Sequence, residues 1–236
     1  MSPNRCFKTP PPGVEIDRLT GKLIVIEGPD SSGRTTHIGH LTEWLEEQGY
    51  SVVHVGLRKS MLVAPELDQA KNGNVLGPRT MSLFYAADFY DQMENVMIPA
   101  LRSGSVVLAD RYIFTLIARD LARGGDPKWL ESLYSLAVVP DAVFFLSIPP
   151  VKLAVRALQA HSTLDYWESG MDIGLSHDRY ECFIKYQKLC DKEFKKMASK
   201  YEFQVLQADK PMKAIQKELR HRVSLILQGL RTDQGA

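Results

Sequence analysis

The sequence has almost no net charge: 29 Lys and Arg against 28 Asp and Glu leave a formal +1 over 236 residues. A general basic footprint for duplex nucleic acid is therefore absent, and no nucleic-acid partner is expected. Long apolar runs are missing too. Stretches such as Ala142–Leu146 hold five residues, against the ~20 that a membrane-spanning helix needs. Residues 1–20 carry no apolar segment of the kind a secretory signal uses, so no membrane association is expected. Cysteine is scarce: Cys6, Cys182 and Cys190 are odd in number and form no C-x-x-C pair. A disulfide framework is thereby disfavoured, and a reducing compartment, most simply the cytoplasm, is expected. Internal repeats, low-complexity blocks and an interdomain linker are also lacking. What is present is ordinary globular material, with 44% hydrophobic residues, enough for a sizeable core.

The apolar pattern alternates between two periods. Leu23–Ile26 is a continuous aliphatic run of the kind buried on both faces of a parallel sheet. From Arg34 a helical period follows, with Ile38, Leu41 and Leu45 on one face and Gly49 as its stop. Further strands are expected at Ser51–Val55, Val106–Ala109, Ala142–Ser147 and Phe203–Leu206. Helices are expected from Pro78 to Gly104, interrupted near Pro99, then at Phe114–Arg123, Val151–Leu158 and Asp178–Ser199. A closing helix carries Met212, Ile215, Leu219 and Val223 on one face. Residues 1–20, with Pro10-Pro11-Pro12-Gly13, read as a loosely packed or mobile arm, and 21–230 as one domain. Strands alternating with helices mean an α/β fold around a five-stranded parallel sheet.

The strongest chemical signal follows the first strand: Glu27-Gly28-Pro29-Asp30-Ser31-Ser32-Gly33-Arg34-Thr35-Thr36. It fits G-x-x-x-x-G-K-[ST] except that Arg34 stands where lysine is expected. Glycines let successive backbone N–H groups converge on phosphate oxygens, and the following helix turns its positive end toward them. On this pattern residues Gly28 to Thr36 bind ATP. The Thr35 hydroxyl coordinates Mg²⁺, and Arg34 bridges the β- and γ-phosphates. Arginine keeps the charge but is a bulkier, planar fork. A later strand ends in Asp110-Arg111-Tyr112, at the sheet edge where ligands gather. Asp110 is expected to hold the Mg²⁺ hydration shell and Arg111 an acceptor phosphate.

With these motifs the sequence resembles the thymidylate kinases. The resemblance also rests on Leu83-Phe84-Tyr85-Ala86-Ala87-Asp88, on Ile98-Pro99-Ala100-Leu101 before Gly104, and on Pro140-Asp141, in order over residues 22–147. It implies a P-loop kinase sandwich of three layers and transfer of the ATP γ-phosphoryl group to dTMP with Mg²⁺. It also implies nucleotide substrates and a homodimer formed through helices beside the acceptor site. Asp30 would bond the acceptor sugar and Tyr85 would stack on its base. Arg58 would share the acceptor phosphate with Arg111. Residues 159–177 would form a lid over the donor. A kinase for another nucleotide or nucleoside, or a nucleotide-binding protein with weak or lost catalysis, remains an alternative.

Several positions depart from the family pattern. Phe89 replaces an arginine that contacts the thymine edge, and Thr115–Asp120 is bulkier and more charged than usual. Phe89 would therefore stack rather than donate hydrogen bonds, and Asp120 would bring charge near the base. Family members keep a catalytic arginine in the phosphate loop or in the lid. Here Ser31 and Ser32 occupy the loop, and residues 161–177 contain no Lys or Arg. Arg156 and Arg179 flank that stretch and are expected to supply what compensation there is. His37 and His40 lack a third ligand at a recognisable spacing. Cys182 and Cys190 read as buried thiols, and Lys192–Lys200 as a solvated face.

Overall fold

A computed structural model describes residues 5–73 and 76–231. Five strands, β1 (Lys22–Glu27), β2 (Val52–Gly56), β3 (Val106–Asp110), β4 (Ala142–Ser147) and β5 (Gln204–Gln207), form one sheet. Their order is β2-β3-β1-β4-β5, and every pairing is parallel. Nine α-helices are described: α1 (Arg34–Glu47), α2 (Ala64–Gly73), α3 (Pro78–Gln92), α4 (Ile98–Arg102), α5 (Ile113–Ala122), α6 (Pro127–Leu133), α7 (Pro150–His161), α8 (Arg179–Lys200) and α9 (Met212–Arg231). β1 is central, and Leu23, Ile24, Val25 and Ile26 are fully buried, as the aliphatic run requires. Alternate residues feed two cores. Leu23 and Val25 meet Val107, Phe145 and Leu116 on one face, while Ile24 and Ile26 meet Leu41, Phe144 and Leu219 on the other. The sheet is thus covered on both sides, giving three layers.

The expected helix from Pro78 to Gly104 is real but changes pitch. A π-helical turn over Met93–Met97 separates α3 from α4, and Pro99 sits in the first turn of α4. A proline there has no N–H to donate, and the widened turn accommodates the break. Two helices lie outside the sequence expectation. α2 is short, and α6 begins at an Asp126 side chain that caps Lys128 N–H at 2.9 Å.

Part of the N-terminal segment, read over residues 1–20 as loosely packed or mobile, is held against the domain. Residues 1–4 lie outside the described residues, but Arg5 to Phe7 pack against the domain. Cys6 bridges to Val138 and is buried. Phe7 N–H donates to Ala137 O at 3.1 Å, and its ring meets Phe114 and Tyr201 edge-on. The Arg5 guanidinium reaches Leu19 O, Gly21 O and Asp141. Apolar side chains and one arginine hold this strip where the proline content implied looseness. No helix among the described residues is long and apolar enough to cross a membrane.

Candidate active site

Strand register brings the motifs together. Ile26 pairs with Asp110 across β1 and β3, and Gly56 pairs with Asp110 across β2 and β3. The phosphate loop, the end of β3 and the turn after β2 therefore open at one carboxyl edge, where α/β sheets place their ligands. Backbone strain collects there as well. Of the five non-glycine residues with positive φ among those described, three are Ser31, Arg58 and Arg111, the kind of conformation that concentrates at functional sites. Gly28 (φ +151°) allows the loop to pass the β4 edge, since a Cβ there would stand 3.0 Å from Leu146 O. Gly33 (φ +94°) turns the chain into α1 without a side-chain cap, leaving the first-turn N–H groups for an anion.

Arg34 is 8% exposed and folds back on the loop. Its Nη1 donates to Gly28 O and Pro29 O, each at 2.5 Å, and its Nε to Asp110 Oδ1 at 2.8 Å. A guanidinium can make all these bonds at once where an ammonium has fewer donors and no planar fork. Arg34 thus shapes the loop and joins it to Asp110. Thr35 Oγ1 lies 3.4 Å from Asp110 Oδ2, so the two expected Mg²⁺ partners are neighbours. Ser32 Oγ is buried without a partner. Asp30, Ser31, Gly33, Arg34, Thr35 and Thr36 line a cleft of about 570 Å³, whose far wall includes Asp165 and Glu168.

Asp30 receives three guanidinium groups: Arg34 Nη2 at 3.3 Å, Arg119 Nη2 at 2.9 Å, and Arg111 Nη2. Burial alone would raise its carboxyl, but Arg111, Arg119 and Arg34 outweigh burial and hold it well below the usual carboxylate range. Burial and the neighbouring Arg34 push Arg111 down to about 10. An acid depressed on folding adds stability above its unfolded value near 3.9 and loses it as the pH falls through the folded one. The parent protein is therefore expected to lose more stability than Asp30→Asn between neutral pH and about pH 3. Urea midpoints of the two proteins across that range check this, and parallel curves would contradict it.

A second cavity, of about 300 Å³, is walled by Tyr85, Leu116, Asp120, Arg123 and Trp167 among others, and by Arg119, which bonds Asp30 of the loop. Burial raises the Asp120 carboxyl, against a hydrogen bond from Ser82. Residues 162–178 close the cavity on one side. Arg123 Nε and Nη2 hold Asp172 at 2.8 and 3.1 Å, its Nη2 donates to Trp167 O, and Trp167 Nε1 donates to Lys71 O at 3.0 Å.

Not every expected site residue arrives. Phe89 is 5% exposed and lies in the core, edge-on to Tyr90, Tyr112 and Tyr134. It does not line the cavity with Tyr85; it packs among these tyrosine rings instead. Arg58 is otherwise engaged: its backbone N–H is held by Asp88 Oδ2 at 2.8 Å and its guanidinium by Asp68 at 2.7 Å. Arg156 donates to Ala208 O, and Arg179 contacts Thr163 Oγ1 and Leu164 O, so neither bonds the phosphate loop. Besides Arg34 and Arg111, an arginine that does is Arg119, on α5. A signal for it exists in the sequence: Thr115 and Arg119 stand four apart, which places them on one face of α5. His37 is buried against Gln216, and Cys6, Cys182 and Cys190 are buried and unpaired. No cluster of three His, Cys, Asp or Glu poised for a metal is found among the described residues.

A phosphate loop on the central strand, a carboxylate on the adjacent one and a second cavity beyond the loop define the class as a P-loop phosphotransferase. The sequence model of thymidylate kinase matches residues 26–219. The chain belongs to the thymidylate kinase family. It is 32% identical over 203 residues to the probable thymidylate kinase 2 of Saccharolobus solfataricus, covering 86% of this chain and 95% of that protein. It is similar also to the probable thymidylate kinase of Pyrococcus horikoshii (32% over 165 residues, 66% and 78%). The thymidylate kinase of Akkermansia muciniphila is 36% identical over 155 residues, 63% of this chain and 72% of its own.

Proposed function

We propose that the protein transfers the γ-phosphoryl group of ATP to dTMP, with the donor in the phosphate-loop cleft and the acceptor in the cavity beside it. The observation that carries this reading is the adjacency of the two spaces: Asp30 borders the first, Arg119 the second, and the two side chains bond each other. A phosphate oxygen of dTMP forms a bond to the γ-phosphorus while the bond to the β–γ bridging oxygen breaks. ADP leaves with that electron pair. The acceptor phosphate is already anionic, so no protein base is needed, and catalysis falls to positioning and electrostatics. The N-terminus of α1 and Ser32 face donor phosphates, Arg34 keeps the loop in shape, and Arg111 binds the acceptor phosphate. Tyr85 stacks on the base.

Mg²⁺ belongs to the same reading. A hydroxyl and one carboxylate, Thr35 and Asp110, are the few protein ligands this ion takes when phosphates and water supply the rest. When bound, it would neutralise charge on the donor phosphates. Residues 159–177 serve as the lid. A homodimer is part of the proposal, supported by the exposed Leu83 and Val96 on the helical run that also carries Tyr85. A reducing, cytoplasmic setting is supported by three buried free thiols.

The test is ADP release coupled to each of dTMP, dUMP, dCMP and dGMP. Acceptor-dependent release with dTMP is expected, and its absence with every nucleotide overturns the proposal. With Phe89 in the core, stacking and Asp120 carry base selection. Stacking is tolerant, so the ratio of kcat/KM for dTMP over dCMP is expected below about 10². A ratio of about 10⁴ or more would show a hydrogen-bonded base reader.

A further inference from the structure

We propose that Arg119 is a further catalytic residue of this chain, contacting the phosphoryl group in transit and compensating charge in place of an arginine from the loop or lid. The proposal rests on the transfer reading above. Its first support is position. Asp30 borders the donor cleft and Arg119 the acceptor cavity, both line a small hollow that also holds Arg111, and Arg119 Nη2 meets Asp30 Oδ2 at 2.9 Å. A phosphoryl group passing from donor to acceptor crosses that contact.

The second support is charge. Three guanidinium groups converge on the carboxylate of Asp30 in a partly buried place. Asp110 is a second partner of Arg34, which leaves Arg111 and Arg119 to share Asp30, with Glu168 3.8 Å from Arg119. Arg111 Nε there is buried and has no partner. An arrangement of this kind is stabilised by an anionic ligand, and Asp30 stands in for that anion while holding the cations in place. Preorganised donors aimed at developing charge are the largest single source of rate in such sites.

The third support is rigidity and reach. Arg119 lies on α5, one turn beyond Thr115. The start of α5 is anchored where Glu27 accepts from Tyr112 N–H, Thr115 N–H and Thr115 Oγ1. A group on such a helix keeps its geometry better than one on a loop. Glu168 Oε1, from the segment over the donor cleft, stands 3.8 Å from the same Nη2. The closing segment therefore contributes an anion that orients a cation carried by the rigid body of the fold.

The test compares the parent with Arg119→Ala and Arg119→Lys. Arg119→Ala is expected to lower kcat with ATP and dTMP by about 10²-fold, while each KM changes less than about threefold. Arg119→Lys, with a single ammonium, is expected to recover only a small part of the rate. Added millimolar guanidinium is expected to restore at least a tenth of the lost rate to Arg119→Ala and to leave the parent unchanged. Binding of ADP, dTMP and aluminium fluoride together is expected to weaken by a similar factor. A kcat for Arg119→Ala within about threefold of the parent overturns the proposal. So does a loss confined to the KM for dTMP, or a lost rate that guanidinium does not restore, since that marks mere support of Asp30. Should Arg119→Ala not fold, a parent-like kcat in Arg119→Lys overturns it equally. A parent without dTMP-dependent ADP release removes the transfer reading and this proposal with it, whereas an active parent indifferent to Arg119 removes this proposal alone.

Discussion

Asp110→Asn is expected to lower kcat about 10³-fold and to raise the Mg²⁺ concentration needed for half-maximal rate. The carboxylate does two things at once. Its Oδ2 lies beside Thr35 Oγ1, and its Oδ1 accepts from Arg34 Nε. The amide keeps the shape and loses the charge. A divalent ion then loses the one carboxylate that the pair offers it, and Arg34 loses the anion that fixes its fork against Gly28 O and Pro29 O. Steady-state rates at saturating ATP and dTMP, titrated with Mg²⁺, measure both effects. A kcat within about fivefold of the parent with unchanged Mg²⁺ dependence would show that Asp110 is not at the metal. Stability should change little by comparison, because Asp110 is partly exposed.

Glu27→Leu is expected to cost about 3–5 kcal/mol of stability, whereas Glu27→Gln should stay within about 1 kcal/mol of the parent. Glu27 is fully buried at the end of β1. It accepts from Tyr112 N–H at 2.9 Å, Thr115 N–H at 3.2 Å and Thr115 Oγ1 at 2.5 Å. Leucine leaves all three donors unpaired in the interior, while glutamine still offers a carbonyl oxygen. Burial, the dominant influence, raises the Glu27 carboxyl despite the lowering bonds from Thr115 and Tyr112. An acid raised on folding costs stability as the pH climbs through the carboxylate range toward its folded value. The parent should therefore gain on Glu27→Gln as the pH is lowered through that range. Urea denaturation of the three proteins at several pH values measures this, and equal stability for Glu27→Leu and Glu27→Gln would contradict it. A loss of turnover in Glu27→Leu beyond its loss of folded protein would further show that the start of α5, and with it Arg111 and Arg119, takes its position from this carboxylate.

Much of the fold was legible along the chain. The aliphatic run at Leu23–Ile26, the helical period after Arg34 and the alternation that follows are local signals, and local signals give element type. The five strands lie within one or two residues of where the pattern puts them. Gly28 to Thr36 and Asp110-Arg111 were legible for a related reason. Their chemistry depends on neighbours in sequence, and a strand before a phosphate loop with a helix after it leaves little freedom. The packed segment from Arg5 to Phe7 was not legible, since proline content says nothing about a partner such as Ala137 or Tyr201 far along the chain.

The finer site was decided in three dimensions. Phe89 and Tyr85 share one helix and four residues of sequence, yet one packs among tyrosines and the other faces the acceptor cavity. Arg58 sits at the correct edge of the sheet, but its guanidinium is paired with Asp68. Arg119 is separated from Asp30 by 89 positions, and its four-residue spacing from Thr115 tells which helical face it shares but not that this face meets the loop. Periodicity tells which face of a helix is apolar. The β1–β3 register and the packing of α5 determine which polar side chain on another face meets the loop, and both depend on the whole core being assembled.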